Sequence, residues 1–163
     1  LHQWSDEDDE QVSVAMERTN VSALAQRRVS ELSGGQRQRV WIAMALAQQT
    51  RVLLLDEPTT YLDLAHQVEV LELCRELNQV LGTTVVAVLH DLNQACRYAG
   101  WIIAMRDGQI LTQGSPQKVM TAETVEQVFG LEVSVTPDPV TGTPLVLPAA
   151  PRTYTATGLE SLS

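Results

Sequence analysis

Hydrophobic residues follow two different spacings along the chain, one typical of helices and one typical of buried strands. Apolar residues recur at three- and four-residue steps over residues 64–80, and residues 36–48 are rich in Ala, Leu and Gln, so both segments are predicted to be helices. Residues 52–55 and 83–89 are unbroken apolar runs, which predict strands buried on both faces of a parallel sheet. Helices that alternate with such strands indicate an α/β fold.

Caps, turns and breakers predict the remaining elements. Ser5, followed by a run of acids, begins a first helix with intermittent apolar contacts through about residue 28. Asp107-Gly108, between two apolar runs, predicts a hairpin with a type I′ turn. The stripe on the helix at 64–80 is predicted to be Leu64, Val68, Leu71 and Leu77, with Cys74 nearby. The other predicted segments are a helix over 91–98, strands over 101–105 and 110–112, a helix over 121–129 and a hairpin of 133–135 with 145–147.

Composition and charge narrow the class of protein. The 163 residues are 44% hydrophobic, enough for a globular domain with a core, and no apolar run approaches the ~20 residues that cross a bilayer. The net charge of -9 disfavours a nucleic-acid partner, because phosphate binding relies on basic patches. Cys74 and Cys96 lack metal-site spacing and are predicted to be buried free thiols, which fits a reducing compartment. Residues 1–4 resemble neither a signal peptide nor a translation start and indicate a cut edge.

A polar turn with two glycines precedes the helix predicted at 36–48. Ser33 is a good helix N-cap, and Gly34 and Gly35 allow the backbone to approach a ligand closely. A helix N-terminus behind glycines is suited to bind phosphate, because unpaired N–H groups and the helix dipole both favour an anion. Taken alone, the turn is equally compatible with an ordinary helix cap.

Two adjacent acids, Asp56 and Glu57, follow the strand predicted at 52–55. They fall at its carboxyl end, where open α/β sheets bind ligands, and Pro58 ends the strand. Asp56 is the candidate Mg²⁺ ligand, since this cation prefers oxygen donors, and Glu57 is the candidate base that orients and deprotonates a water. The alternative interpretation is a solvated acidic turn after a core strand.

Three segments, in this order, resemble the motifs of ATP-binding-cassette (ABC) ATPases. Residues 32–36 (L-S-G-G-Q) resemble the signature motif, residues 52–57 (V-L-L-L-D-E) the Walker B motif, and residues 60–63 (T-Y-L-D) the D-loop. They are called the signature turn, the Walker B segment and the D-loop below. His90, after the strand predicted at 83–89, resembles the switch histidine of the family. A lone histidine after a strand is more often structural, but its place in the motif order favours the functional interpretation.

The resemblance implies a P-loop NTPase-like ABC ATPase domain that pairs head to tail with a second copy. Asp56 would bind Mg²⁺, Glu57 would be the general base, and His90 would contact the γ-phosphate of ATP. The residues that would contact the ATP held by the other copy, or communicate across the interface, are Ser33, Gly34, Gly35, Gln36 and Asp63.

The chain departs from the family in one respect. It contains no G-x-x-x-x-G-K-[ST] phosphate-binding loop, and its one lysine is Lys118. It therefore resembles the C-terminal portion of an ABC subunit, without the P-loop strand and the N-terminal β-subdomain. In the family that strand lies between those ending here at Leu89 and beginning at Trp101, so we expect a gap in the sheet, a weakened core and poor ATP binding by the isolated chain. The predicted divisions are the end of a helical subdomain (1–30), the C-terminal part of the ATPase core (31–130), a small β extension (131–148) and a flexible tail (149–163).

Within the ABC ATPases, residues 4–148 most resemble the ATP-binding subunits of ferric-siderophore importers, including the segment P-D-P-V-T-G-T-P at 137–144. The resemblance implies an ATP-hydrolysing subunit, with ATP and Mg²⁺ as cofactors, on the cytoplasmic face of the cell membrane. Its partners would be a second ATPase subunit, transmembrane permease subunits and, indirectly, a substrate-binding protein. Two alternatives stay open: a non-catalytic partner module, and a soluble ABC ATPase of a nucleic-acid machine, which the acidic charge disfavours.

Overall fold

The computed structural model describes residues 5–149 and divides between Asp91 and Leu92 into two units. The elements described in the first unit are α1 (Asp6–Arg18), α2 (Gly34–Leu46), β1 (Val52–Leu55), α3 (Leu64–Leu81) and β2 (Thr84–Ala87). Those of the second are α4 (Leu92–Tyr98), β3 (Ile102–Arg106), β4 (Gln109–Gly114), α5 (Pro116–Val119), α6 (Ala122–Phe129), β5 (Val133–Pro137) and β6 (Pro144–Pro148). The predicted α/β class is confirmed. The tail predicted beyond Ala149 lies outside the described residues.

Side-chain caps fix the ends of the two longer helices that flank β1. Ser33 Oγ accepts from the Gln36 N–H at 3.3 Å, and the Gln36 side chain accepts in return from the Ser33 N–H at 3.0 Å, which completes a capping box. Asp63 caps α3, and Gly82, in the left-handed conformation with φ of 68°, ends it. No helix within residues 5–149 has the length and apolar character needed to cross a bilayer.

The first helix ends earlier than predicted. Helix α1 stops at Arg18 rather than continuing to about residue 28. Asn20 has a positive φ of 55°, which a helix does not accommodate, and two short 3₁₀ turns follow, Ser22–Leu24 and Val29–Glu31. The intermittent apolar residues of this segment therefore belong to short turns and not to one amphipathic helix.

Strands β1 and β2 form a two-stranded parallel sheet in which Leu55 pairs with Ala87. The prediction that both strands are buried on both faces is wrong. Leu53 is buried, whereas Leu54 is 74% exposed and Val86 is 49% exposed on the opposite face. No third strand in the described part of the chain pairs with this sheet.

The core of the first unit lies between α2, α3 and β1. Its buried residues are Ile42, Leu53, Val70, Leu73, Cys74 and Leu77. The stripe predicted on α3 is wrong at its start, because Leu64 and Val68 are exposed and the buried face begins at Val70. Cys74 is a buried free thiol, as predicted, and burial raises its pKa to about 11.

Two hairpins of the second unit follow their predictions. Asp107 and Gly108 have φ of 51° and 76°, and positive φ at both central residues is the mark of a type I′ turn. Strands β5 and β6 pair antiparallel with Val135 opposite Val146, as the predicted hairpin requires. The short helix α5 was not predicted; Pro116 lies in its first turn, where proline is favoured.

A single side chain joins α4 to strand β6. Asn93 Oδ1 accepts from the Val146 N–H at 2.7 Å, and Asn93 Nδ2 donates to the Val146 carbonyl at 3.2 Å. Both backbone polar groups of one residue are thus satisfied by one side-chain amide. Cys96 on the same helix is a buried free thiol within the apolar core of this unit, as predicted.

We predict that Leu77→Ala lowers the free energy of unfolding by about 2–5 kcal/mol, because it leaves a cavity between α3 and its neighbours. Leu77 is 2% exposed, whereas Val80 on the same helix is 66% exposed. The matched control Val80→Ala should change the free energy by no more than about 0.5 kcal/mol. Urea unfolding of both variants measures the difference, and equal effects would contradict the described core.

Candidate functional site

The candidate site lies at the carboxyl end of the β1–β2 sheet. The Val88 N–H donates to the Leu55 carbonyl at 3.0 Å, which continues the parallel ladder beyond the last paired residues. Because both strands run in the same direction, Asp56 and Glu57 after β1 and His90 after β2 emerge at one edge of the sheet. The fold thus brings the predicted catalytic pair together from two separate strands.

Glu57 is held through both of its carboxylate oxygens. Oε1 lies 2.7 Å from His90 Nε2, and Oε2 accepts from Thr60 Oγ at 3.0 Å. The hydrogen bond with His90, and after it the one from Thr60, lowers the pKa of Glu57 below its ordinary value of 4.5. An ionised carboxylate only accepts hydrogen bonds, so Nε2 of His90 carries a proton directed to Glu57.

The backbone at Glu57 adopts an unusual conformation for a residue with a side chain. Its φ is 48°, in the left-handed region. This conformation costs about 1 kcal/mol or more and persists only where the surrounding structure fixes it. Two neighbours do so: Pro58 is fully buried, and the Thr60 N–H donates to the Glu57 carbonyl at 3.2 Å. Strain of this kind is concentrated at functional sites, and here it accompanies the turn that carries Glu57.

Asp56 is exposed at the end of β1. Within residues 5–149 no three His, Cys, Asp or Glu side chains come together as a closed metal site. One exposed carboxylate nevertheless fits Mg²⁺, which usually keeps several waters and is shared between one or two carboxylates and substrate phosphates. The donor at this edge therefore suits Mg²⁺ bound together with a phosphate group and does not suit a dedicated protein cage.

The signature turn packs against the D-loop and the beginning of α3. A Cβ atom added to Gly35 would lie 2.9 Å from His66 Cγ, and one added to Gly34 would lie 3.2 Å from Leu62 Cδ2. Gly35 is buried, so the segments approach where only a hydrogen atom fits. The glycines, predicted as an opening for a ligand, therefore also serve close packing inside the subunit.

Hydrogen bonds from the first turn of α3 hold the D-loop. Asp63 Oδ1 accepts from the His66 N–H at 2.9 Å and lies 2.7 Å from His66 Nδ1. Gln67 Nε2 donates to the carbonyls of Thr59 at 3.3 Å and of Leu62 at 3.0 Å. The backbone bond from His66, and then its ring, lowers the pKa of Asp63 below the ordinary 3.8. The D-loop carboxylate is therefore ionised and engaged within its own subunit.

The sequence interpretation missed the contributions of Thr60, His66 and Gln67. His66 is partly exposed, and its ring contacts both Gly35 and Asp63. One local signal was present: His66 is the third helical residue after its cap, where a side chain reaches back to the capping residue. The contact with Gly35 joins segments distant in sequence and leaves no local signal.

We predict that the carboxyl of Glu57 titrates below 4.5 in a ¹³C NMR titration. His90→Ala should raise that pKa more than Thr60→Val does, because the bond with His90 is the larger cause. Since the folded-state pKa is lowered, the stabilisation from this contact is complete above the ordinary value and is lost as the pH falls through the lowered one. An unchanged pKa in His90→Ala would contradict the contact.

We predict that Gly35→Ala destabilises the chain by about 1–3 kcal/mol, because its methyl group would displace the His66 ring. Gly34→Ala is the matched control: its methyl would meet only the flexible end of Leu62, and alanine favours a helix over glycine by up to about 1 kcal/mol. Thermal unfolding of the two variants distinguishes them. Equal stability would show that the ring does not occupy the position described.

The known proteins that this chain is similar to include components of ABC transporters and ATP-binding proteins of transport systems. Residues 2–60 match the family model described as "ABC transporter". Over 145 residues the chain is 57% identical to the ferric enterobactin transport ATP-binding protein of Escherichia coli (strain K12), covering 89% of this chain and 54% of that protein. It is 49% identical over 143 residues to the iron(3+)-hydroxamate import ATP-binding protein of Bacillus subtilis (strain 168), covering 88% of this chain and 53% of that protein. The chain spans about half the length of the curated relatives it matches.

Solved structures agree with the sequence relatives. A structure described as an inward-facing ABC transporter of the metal-chelate type matches with a TM-score of 0.83 and 30% identity, over 92% of this chain and 60% of that one. A dimeric ATP-binding cassette bound to ADP and Pi matches with a TM-score of 0.58 and 34% identity, over 70% of this chain and 50% of that one. Residues 2–60 are therefore similar to the ABC transporter family model, and the mixed α/β fold matches that of solved ABC ATPases.

Proposed function

We propose that this chain is part of the ATP-hydrolysing subunit of an ABC importer for ferric siderophores. The observation that carries the ATPase proposal is the 2.7 Å contact between Glu57 and His90 at the carboxyl end of a parallel sheet. The substrate class is supported by relatives named for ferric enterobactin and iron(3+)-hydroxamate. Those names belong to longer proteins, of which this chain covers 54% and 53%, so the transport activity is proposed for the whole subunit.

Glu57 is the proposed general base. Its lowered pKa keeps the carboxylate ionised at neutral pH, so it accepts a hydrogen bond from the attacking water and takes its proton as the reaction proceeds. Each carboxylate oxygen makes one described contact, with His90 or with Thr60, which leaves lone pairs available to the water. The two contacts also restrict rotation of the side chain, and a fixed base is more effective than a mobile one.

His90 is the proposed contact for the γ-phosphate. Its Nε2–H is directed to Glu57, and its ring is largely exposed, so it remains accessible to a substrate at this edge of the sheet. A histidine that bonds to the base can transmit the presence of the phosphate to Glu57, because both groups respond to the same charge. Asp56 is the proposed Mg²⁺ ligand. When bound, Mg²⁺ neutralises charge on the phosphate oxygens.

The signature turn and Asp63 are proposed to act on a second copy of the subunit. Ser33, Gly34, Gly35 and Gln36 form the capped N-terminus of α2, where backbone N–H groups and the helix dipole favour a phosphate. Head-to-tail pairing would put this turn on the ATP held by the other copy and Asp63 at the interface. A related cassette with a dimeric structure supports such pairing.

The proposed partners follow from the importer assignment. They are a second ATPase subunit, transmembrane permease subunits and, indirectly, a substrate-binding protein. The proposed location is the cytoplasmic face of the cell membrane, as a peripheral subunit. Hydrolysis at the Glu57 edge would drive movement of the permease through the paired ATPase subunits.

A second candidate function is a non-catalytic partner module. One specific observation favours it: the sequence contains no G-x-x-x-x-G-K-[ST] loop to cradle the nucleotide phosphates. In this alternative the chain binds a permease or another cassette without turnover. The Glu57–His90 contact favours the catalytic proposal. A binding module has no need of a carboxylate on a strained backbone whose two oxygens are each held by a neighbouring side chain.

The catalytic proposal is tested with a chimera in which this chain replaces the matched segment of the Escherichia coli ferric enterobactin transport ATP-binding protein. We expect the chimera to hydrolyse ATP. Glu57→Gln should lower kcat by about 10²-fold or more, because the carboxamide keeps the shape of the side chain but cannot take a proton. The matched control Glu76→Gln, at an exposed position on α3, should leave kcat within about twofold.

Three outcomes would contradict parts of the proposal. Full activity in Glu57→Gln would remove Glu57 from the role of general base. A folded chimera without any activity would favour the non-catalytic module. A tight MgATP complex of this chain alone would contradict the expected poor binding without a phosphate-binding loop.

A further inference from the structure

His66 contacts two motifs that are distant in sequence. Its ring lies against the signature turn so closely that a Cβ on Gly35 would come within 2.9 Å of His66 Cγ. The same ring reaches the D-loop through Nδ1, which lies 2.7 Å from Asp63 Oδ1. The ring therefore forms a bridge between them inside one subunit.

The protonation of this bridge follows from its partner. The Asp63 carboxylate only accepts hydrogen bonds, so Nδ1 of His66 carries the proton. In the neutral imidazole the lone pair then lies on Nε2, directed away from the Asp63 contact. The contact with Asp63 thus needs a hydrogen-bond donor at the position of Nδ1. An aliphatic side chain of similar size cannot supply that donor.

The next residue extends the same support to the backbone of the D-loop. Gln67 Nε2 donates to the carbonyl of Thr59, just before the loop, and to that of Leu62 within it. The Leu62 side chain in turn lies under Gly34, where an added Cβ would be 3.2 Å away. The first turn of α3 therefore holds the D-loop in two ways: through the side chain of Asp63 and through main-chain carbonyls of the loop segment.

These contacts do little for the hydrophobic core. The side chain of His66 is 40% exposed, and the buried face of α3 begins only at Val70. An ion pair of Arg39 with Glu69 already ties α2 to α3 further along. Since core packing and a second link hold the two helices together, the bridge at His66 determines local geometry more than overall stability.

We infer that His66 is a positioning residue that holds the signature turn and the D-loop in one fixed arrangement within the subunit. This inference rests on the proposed function, because it matters for hydrolysis only if the two segments meet the nucleotide and the second copy there. Joined through one ring, the two segments would approach the other copy as a single body. Misplacing either would disturb both at once.

The test uses two variants that differ in one property. In His66→Asn the side-chain Nδ2 takes the place of Nδ1 and the carbonyl takes the place of Cδ2, so the donor and the flat group against Gly35 are kept. In His66→Leu the size is similar and the donor is lost. Both variants are made in the complete 163-residue chain and in the chimera described above.

The first readout is amide hydrogen exchange in the chain alone, which needs no nucleotide. We expect His66→Leu to speed exchange at residues 35, 36 and 66 by about tenfold or more, while core amides such as that of Leu73 stay within about twofold. His66→Asn should leave all of these near wild type. Unchanged exchange at 35, 36 and 66 in His66→Leu, or equal acceleration at Leu73, would overturn the inference, since the residue would then be dispensable or merely stabilising.

The second readout is the kinetics of the chimera. We expect His66→Leu to lower kcat about tenfold with KM for ATP within about twofold, because the nucleotide is held by a different segment, and His66→Asn to restore most of kcat. Rescue by Asn separates positioning from bulk stability. Wild-type kcat in His66→Leu overturns the catalytic relevance of the bridge. If the wild-type chimera itself is inactive, the proposed function fails, and the exchange readout still decides whether His66 couples the two segments.

Discussion

The parallel pairing of β1 with β2 is the constraint on which the candidate site depends. Because the strands run in the same direction, the residues after each emerge at one edge, where Glu57 meets His90. A shift of one residue in the register would move every side chain to the opposite face and take Leu53 out of the core. The buried face of the sheet thus fixes the geometry of the polar edge.

Features set by local chemistry could be predicted from the sequence. The Ser33 cap, the Gly82 stop and the type I′ turn at Asp107-Gly108 all depend on residues within four positions of each other, and all are present. The placement of Asp56 and Glu57 at a strand end was predictable for the same reason, since an apolar run followed by Pro58 has few other conformations. The order of the motifs then indicated the family.

Features set by distant packing could not be predicted. The exposure of Leu54 and Val86 depends on which elements cover the sheet, and the hydrophobic pattern cannot show that a covering element is lacking in residues 5–149. The contact of His66 with Gly35 joins two helices far apart in sequence, so no spacing rule indicates it. The early end of α1 depends on the positive φ of Asn20, a conformation the sequence permits without requiring.

The bond pair between Asn93 and Val146 has a consequence for sequence variation in the second unit. The Asn93 amide contacts the N–H and the carbonyl of residue 146, which every amino acid except proline provides. The side chain at 146 is therefore restricted only by the volume of its buried site, and several aliphatic residues satisfy it. Position 93 has no such freedom, because aspartate lacks the donor and glutamine is longer by a methylene. Substitutions in natural variants should therefore be more frequent at position 146 than at position 93.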